Sequence, residues 1–174
     1  MTTRGVVLIG PMGSGKSAVG RALAARLDLD HVDTDASVVE QVGATIPEIF
    51  DRDGEEAFRE GESASLDAAL RRMPCVVSTG GGVVEREANR DRLAGSGALI
   101  VWLDADIDTL SGRVGDGRGR PLLTGDPKAA LARTVGSRAP LYEEVADVRL
   151  DTTDLTTGHC VDAILALLDH EVPA

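Results

Sequence analysis

Gly10-Pro11-Met12-Gly13-Ser14-Gly15-Lys16-Ser17 fits the pattern G-x-x-x-x-G-K-[ST]. Each residue type has a physical task. The glycines let the backbone turn so that successive N–H groups point inward at phosphate oxygens. A helix opening near Lys16 adds the positive end of its dipole. Lys16 can reach the β- and γ-phosphates of a nucleotide, and the Ser17 hydroxyl can coordinate Mg²⁺. The pattern falls between an apolar run and a helical run, the context that the chemistry requires. The competing reading is a glycine-rich turn that only caps a helix.

Further along, Asp33-Thr34-Asp35 follows a short apolar stretch. Phosphoryl transfer needs one group to hold the metal and another to orient the acceptor hydroxyl. Asp33 suits the first task, through metal-bound water, and Asp35 the second. Alternatively, Thr34 or Asp35 serves only as a helix N-cap. Gly80-Gly81-Gly82 offers backbone N–H groups with no side chain in the way, or else a plain strand-to-helix turn. Arg59, Arg120 and Arg138 are fork-shaped donors that grip carboxylates and phosphates, although surface ion pairs are the usual fate of a single arginine. The stretch from Gly112 to Gly119 carries four glycines and reads as a lid that excludes water and brings Arg120 to the transferring phosphoryl group. The alternative is a surface loop with no catalytic part.

These groups must be held by a frame. Val6 to Ile9 reads as a strand buried on both faces. Helical spacing covers 16–27, with a short strand at 31–33. Residues 36–72 read as helical, interrupted near Gly43 and Gly54. Strands follow at 75–78, 98–103 and 146–150, and helices at 85–94, 106–113, 127–144 and 157–170. This alternation predicts an α/β fold, a doubly wound parallel sheet with helices on both faces. In such a sheet ligands bind outside the carboxyl ends of the strands, which draws Asp33 and Asp35 toward the phosphate loop.

Composition narrows the function. The 174 residues carry a formal net charge of −11, which disfavours nucleic acid or an anionic membrane as partner. Aromatic residues are 2% of the chain, so the core must be aliphatic. Cys75 and Cys160 show no metal-ligand spacing and suit reduced thiols. Met1-Thr2-Thr3-Arg4 leads straight into the first strand, and no apolar run has the length of a membrane span, so a cytoplasmic protein is expected. No acidic residue closes the strand 75–78, which disfavours motor ATPases and GTPases. No N/T-K-x-D segment reads guanine. His31, His159 and His170 lack ligand spacing, and Trp102 suits the core or a sheet face.

Taken as an ordered series, GPMGSGKS (10–17), DTD (33–35), Phe58-Arg59, GGG (80–82), RPLL (120–123) and RAPLY (138–142) closely resemble shikimate kinase, from about Val6 to Leu168. The resemblance implies ATP-dependent phosphorylation of the 3-hydroxyl of shikimate, with Mg²⁺, by a monomer. It implies a three-layer P-loop kinase fold with a five-stranded parallel sheet in the order 2-3-1-4-5. One domain would span 1–174, with a substrate-binding helical region at about 34–62 and a lid at about 114–125. Gly13, Ser14, Gly15, Lys16, Ser17, Ala18, Arg113 and Arg120 would contact ATP, with Arg113 packing on adenine. Asp35, Arg59, Gly80, Gly81, Gly82 and Arg138 would form the shikimate site. Within it Arg59 and Arg138 would grip the carboxylate, and Asp35 would take hydroxyls as the base. Lys16 and Arg120 would hold the transferring phosphate, and Ser17 and Asp33 would serve the metal. Two departures stand out: the extra Arg118 in the lid, and Gly61, a helix-weakening residue beside Arg59. A gluconate kinase or a nucleoside monophosphate kinase is the nearest rival, but the D-G-[FY]-P-R segment of the latter is absent.

Overall fold

The structure, a computed structural model, describes residues 4–115 and 126–170. Five strands, β1 (Val6–Ile9), β2 (His31–Asp33), β3 (Val76–Ser78), β4 (Leu99–Asp104) and β5 (Val148–Asp151), form one parallel sheet in the order β2-β3-β1-β4-β5. That is the 2-3-1-4-5 order expected. β1 lies between β3 and β4, with Val6 opposite Val76 on one side and Leu99 on the other. Every residue of β1 and β4 is buried. Both strands therefore read as continuous apolar runs rather than alternating ones, as a sheet covered on both faces demands.

Alternate residues feed two separate cores. Val7, Ile9, Val77, Ile100 and Trp102 point to one face. There they meet Leu66 and Ala69 of α3 (Ile46–Leu70), Leu93 of α4 (Glu87–Ala94) and Tyr142 of α6 (Pro127–Val145). Val6, Leu8, Val76, Leu99, Val101 and Leu103 point to the other. They pack against Val19 and Leu23 of α1 (Lys16–Leu27) and Val161 and Ile164 of α7 (Thr157–His170). Burying one such aliphatic side chain stabilises by about 1.5–3 kcal/mol, so the two layers need no aromatic-rich core. Trp102 and Tyr142 are the large rings of the first layer, with centroids 5.5 Å apart.

The interruptions expected at Gly43 and Gly54 are present. Gly43 ends α2 (Thr34–Val42) at φ 69°. The next helix, α3, opens with a capping box between Thr45 and Glu48 and breaks its helical backbone at Gly54. α2 and α3 share a small core of Val38, Ile49 and Phe58. Gly61 faces this contact: a Cβ there would stand 3.2 Å from Val38 Cγ1. Its lost helix propensity is thus matched by a close crossing of α2 and α3. A single turn of 3₁₀ helix (Val83–Glu85) precedes α4, and α5 (Ile107–Val114) precedes the segment 116–125. Most of the lid read in the sequence, with Arg118 and Arg120, lies outside the described residues.

Candidate functional site

The loop after β1 folds back on itself. Gly13 at φ 83° and Gly15 at φ 93° occupy the left-handed region, where a side chain would be strained. Their φ values turn the chain into the start of α1. Ser14 turns inward and donates its hydroxyl to Pro11 O at 2.8 Å, so its side chain braces the loop. The Lys16 ammonium lies along the loop, donating to Gly10 O at 2.9 Å and Pro11 O at 2.8 Å. Ser78 of β3 donates to Lys16 O at 2.9 Å, which ties the helix start to the sheet.

Beside the loop, Ser17 Oγ donates to Asp33 Oδ2 at 2.6 Å. Asp33 has a second task, because its Oδ1 accepts from Ala36 N at 3.1 Å and caps α2. The cap is therefore Asp33, not Thr34 or Asp35. Thr34 instead accepts from Gly80 N at 3.2 Å and locks the glycine turn to α2. A hydroxyl and a carboxylate side by side fit a Mg²⁺ ion, which prefers oxygen donors and keeps waters and phosphate oxygens as its other ligands. Among the described residues no group of three or more His, Cys, Asp or Glu could form a cage by itself.

Asp35 stands in the first turn of α2. Its Oδ1 is buried and has no hydrogen-bond partner among the protein groups. Burial, and then the neighbouring Asp33 carboxylate, raise its pKa above the ordinary carboxylate range, against the pull of Lys16 and Arg59. The glycine turn explains why no side chain fits here: a Cβ on Gly80 would overlap Asp35 Oδ1 and Glu62 Oε1, and one on Gly82 would overlap the Arg59 guanidinium. The place for a Cβ on Gly81 lies 3.4 Å from Arg138 Nη1 and 3.6 Å from Met12 N, between the arginine and the phosphate loop. Tyr142 Oη donates to Gly81 O at 2.5 Å and steadies this turn from below.

Arg59 and Arg138 come from α3 and α6, and both side chains are under one-tenth exposed. Arg59 donates to Glu62 at 2.9 Å and to Glu55 at 3.2 Å, and it pairs with Glu85 at 3.3 Å. Arg138 Nε donates to Glu85 at 2.9 Å. Arg59 Nε and Glu62 Oε1 are buried without partners, next to the orphaned Asp35 oxygen. Orphaned buried polar atoms clustered at one place mark a ligand or water site. Burial, and secondarily the Asp35 charge, push the Glu62 carboxyl up to about 7 even though Arg59 opposes the shift.

One cavity of about 550 Å³ joins these parts. Its lining includes Gly13, Gly15, Lys16, Ser17, Ala18 and Arg113 at one end and Asp35, Arg59, Glu62, Gly80, Gly81, Gly82 and Arg138 at the other, with Asp33 between. Ile46, Phe50 and Phe58 supply apolar wall. Among the described residues, Ser14 is the expected one that does not line it. Arg113 lies across the loop, donating to Thr152 O at 2.8 Å, Thr152 Oγ1 at 3.0 Å and Gly13 O at 3.4 Å. Sequence reasoning did not single out Glu62, Glu85 or Thr152. The signals for the first two were spacings: Glu62 three residues after Arg59 on one helix face, and Glu85 three residues after the last glycine of the turn.

A cradle for nucleotide phosphates thus shares a chamber with carboxylates and guanidiniums suited to a hydroxylated acid. The family model described as shikimate kinase matches residues 12–169. The shikimate kinase of Ruegeria pomeroyi is 44% identical over 164 residues, covering 94% of this chain and 84% of that one. The shikimate kinase of Pseudomonas syringae pv. tomato is 43% identical over 166 residues, covering 95% of this chain and 96% of that one. Among solved structures, shikimate kinase from Acinetobacter baumannii in complex with shikimate superposes with a TM-score of 0.94 at 33% identity, covering 99% of this chain and 97% of that one.

Proposed function

Because the chain belongs to the shikimate kinase family, we propose that it transfers the γ-phosphoryl group of ATP to the 3-hydroxyl of shikimate. The observation that carries this reading is the single cavity that opens both to Lys16 and to Asp35, Arg59 and Arg138. An acceptor held between them can meet the γ-phosphate in line.

The residues divide the work. Backbone N–H groups of residues 13–18 and the Lys16 ammonium bind the triphosphate. Arg59 and Arg138 take the acid's carboxylate, each guanidinium offering a fork of parallel donors. Gly80, Gly81 and Gly82 let the acceptor's ring lie close to the backbone. Asp35, which lines the chamber, accepts hydrogen bonds from the acceptor hydroxyls and takes the proton of the attacking one. Ser17 and Asp33 would hold Mg²⁺, which when bound neutralises charge on the phosphate oxygens. Ile46, Phe50 and Phe58 keep water from the reacting centre. Arg120 is assigned to the transferring phosphoryl group through its RPLL motif, and Arg113 to the adenine. One chain supplies every residue named, which supports a monomer as the working unit.

The test is ADP release coupled to a reporter, with shikimate, gluconate and nucleoside monophosphates offered in turn. Shikimate alone should drive release, with the phosphate on the 3-oxygen by ³¹P NMR. Turnover with gluconate or a nucleotide in place of shikimate would reassign the acceptor.

A further inference from the structure

Glu85 closes the 3₁₀ turn that follows the three glycines, and its backbone is firmly held. Glu85 N donates to Gly82 O at 3.0 Å, while Asn89 and Arg90 bind the carbonyls of Val83 and Val84 at 3.0 and 2.9 Å. The side chain is 39% exposed. One of its oxygens stands 3.3 Å from Arg59 Nη2 and the other 2.9 Å from Arg138 Nε. Among the described residues it is the one carboxylate that spans both guanidiniums. That spanning position is what a small carboxylic acid would need in order to use the two arginines together.

Charge counting sharpens the point. Arg59 already faces Glu55, Glu62 and Glu85. Arg138 shares Glu85 with it, so an entering carboxylate competes with the resident ones for the same guanidinium donors. Glu62 cannot go, since its side chain is 1% exposed. Glu55 can, but it touches only Arg59. Glu85 is half in solvent and frees both arginines at once. A buried guanidinium left without a counter-charge is costly, so a resident carboxylate also keeps the two arginines paired until the acid arrives.

We propose that Glu85 is an internal competitor for the substrate carboxylate: it bridges Arg59 and Arg138 in the unliganded chain and turns out to solvent as the acid binds. Only a ligand that brings its own carboxylate replaces what Glu85 gives the arginines, so the exchange selects acids over neutral polyols. The inference rests on the acceptor assigned above.

Calorimetric titration of the full chain with shikimate, without nucleotide, tests it. Glu85→Gln should lower the Kd for shikimate by about three- to tenfold, the scale of a partly exposed ion pair. Glu85→Ala should do the same, so a packing fault in one variant does not hide the effect. The methyl ester of shikimate should gain less than about twofold from either change, on the same free-energy scale. Glu55→Gln separates bridging from bulk charge, and should tighten the acid less than Glu85→Gln. An equal or weaker affinity in the Glu85 variants overturns the proposal, as does an equal gain from Glu55→Gln. If the unaltered chain releases no ADP with shikimate, both readings fall. If it does and the Glu85 variants bind no tighter, only this one falls.

Discussion

Ser17 Oγ and Asp33 Oδ2 sit 2.6 Å apart, joining the first turn of α1 to the end of β2. The contact couples the proposed metal ligand to its neighbour, and Asp33 is itself fixed by capping α2. Asp33→Asn keeps the shape but removes the charge that would draw the cation. Apparent Mg²⁺ affinity in the ADP-release assay should fall by about 10–100-fold, the usual cost of losing a partner behind a metal ligand. Ser17→Ala should fall at least as far. A Mg²⁺ titration curve that does not move in either variant would take these residues out of the metal site.

Gly80 is a steric prediction. Its φ is not in the left-handed region, so alanine is conformationally allowed, yet a Cβ would overlap Asp35 and Glu62. Both carboxylates would have to shift. Gly80→Ala should destabilise by about 1–3 kcal/mol, as overpacking does, and should reduce turnover more than stability. Gly97→Ala is a useful contrast, because nothing lies within 4 Å of its Cβ position and the cost there is backbone strain at φ 70° alone. A Gly80→Ala chain with wild-type melting and turnover would show that the turn has room to spare.

Those two sites differ in how readily the sequence reveals them. The phosphate loop is legible because its chemistry is made by consecutive backbone groups, so spacing alone identifies it. Asp33 and Asp35 are legible through topology, as residues at a strand's carboxyl end. Arg59 and Arg138 are different. They meet only because α3 and α6 pack on the same sheet face, through Leu66 and Tyr142, and the ordered motif series rather than any periodicity pointed to them. Glu62 and Glu85 were harder still. In a chain with 29 acidic residues a glutamate looks like solvated surface, and only burial beside Arg59 makes Glu62 a member of the site.

Arg138 should act on one ligand only. Its Nε holds Glu85, and its Nη1 lies toward Gly81 at the acceptor end of the cavity. Charge-assisted hydrogen bonds contribute about 1.5–3 kcal/mol each, so Arg138→Ala should weaken shikimate binding by about 10–100-fold. ATP affinity should change little. Parallel titrations with shikimate and with ATP decide the matter, since equal losses for both would remove Arg138 from a carboxylate site. Arg138→Lys should recover only part of the affinity, because a single ammonium cannot copy the fork.

Glu62 makes stability depend on pH in an unusual direction. Its carboxyl is raised from an ordinary 4.5 to about 7 in the folded chain, mainly by burial. Between those values the folded state binds more protons than the unfolded state. This contribution to stability is therefore fully present below pH 4.5 and is lost as pH rises toward about 7. Glu62→Gln should flatten that part of the stability curve, measured by urea unfolding at a series of pH values. Shikimate binding is read separately, because the change also alters the buried 2.9 Å contact that orients Arg59. A pH profile identical to that of the unaltered chain would mean Glu62 stays ionised beside Arg59 throughout.

Asp35 is the proposed base for the proton transfer, and its geometry tells which substitution isolates that role. Gly80 lies against its Oδ1, so any larger side chain would clash, whereas asparagine fits the same space. Asp35→Asn still offers a hydrogen-bond acceptor to the acceptor's hydroxyls but cannot take up their proton. Shikimate affinity should stay measurable while kcat falls by about 10²–10⁴-fold, the range for loss of a general base. Asp35→Ala removes both functions and should lose affinity as well as turnover. Direct binding and steady-state kinetics on the same preparations separate the two. If Asp35→Asn keeps its kcat, the proton leaves by another route, and Asp35 only positions the ring.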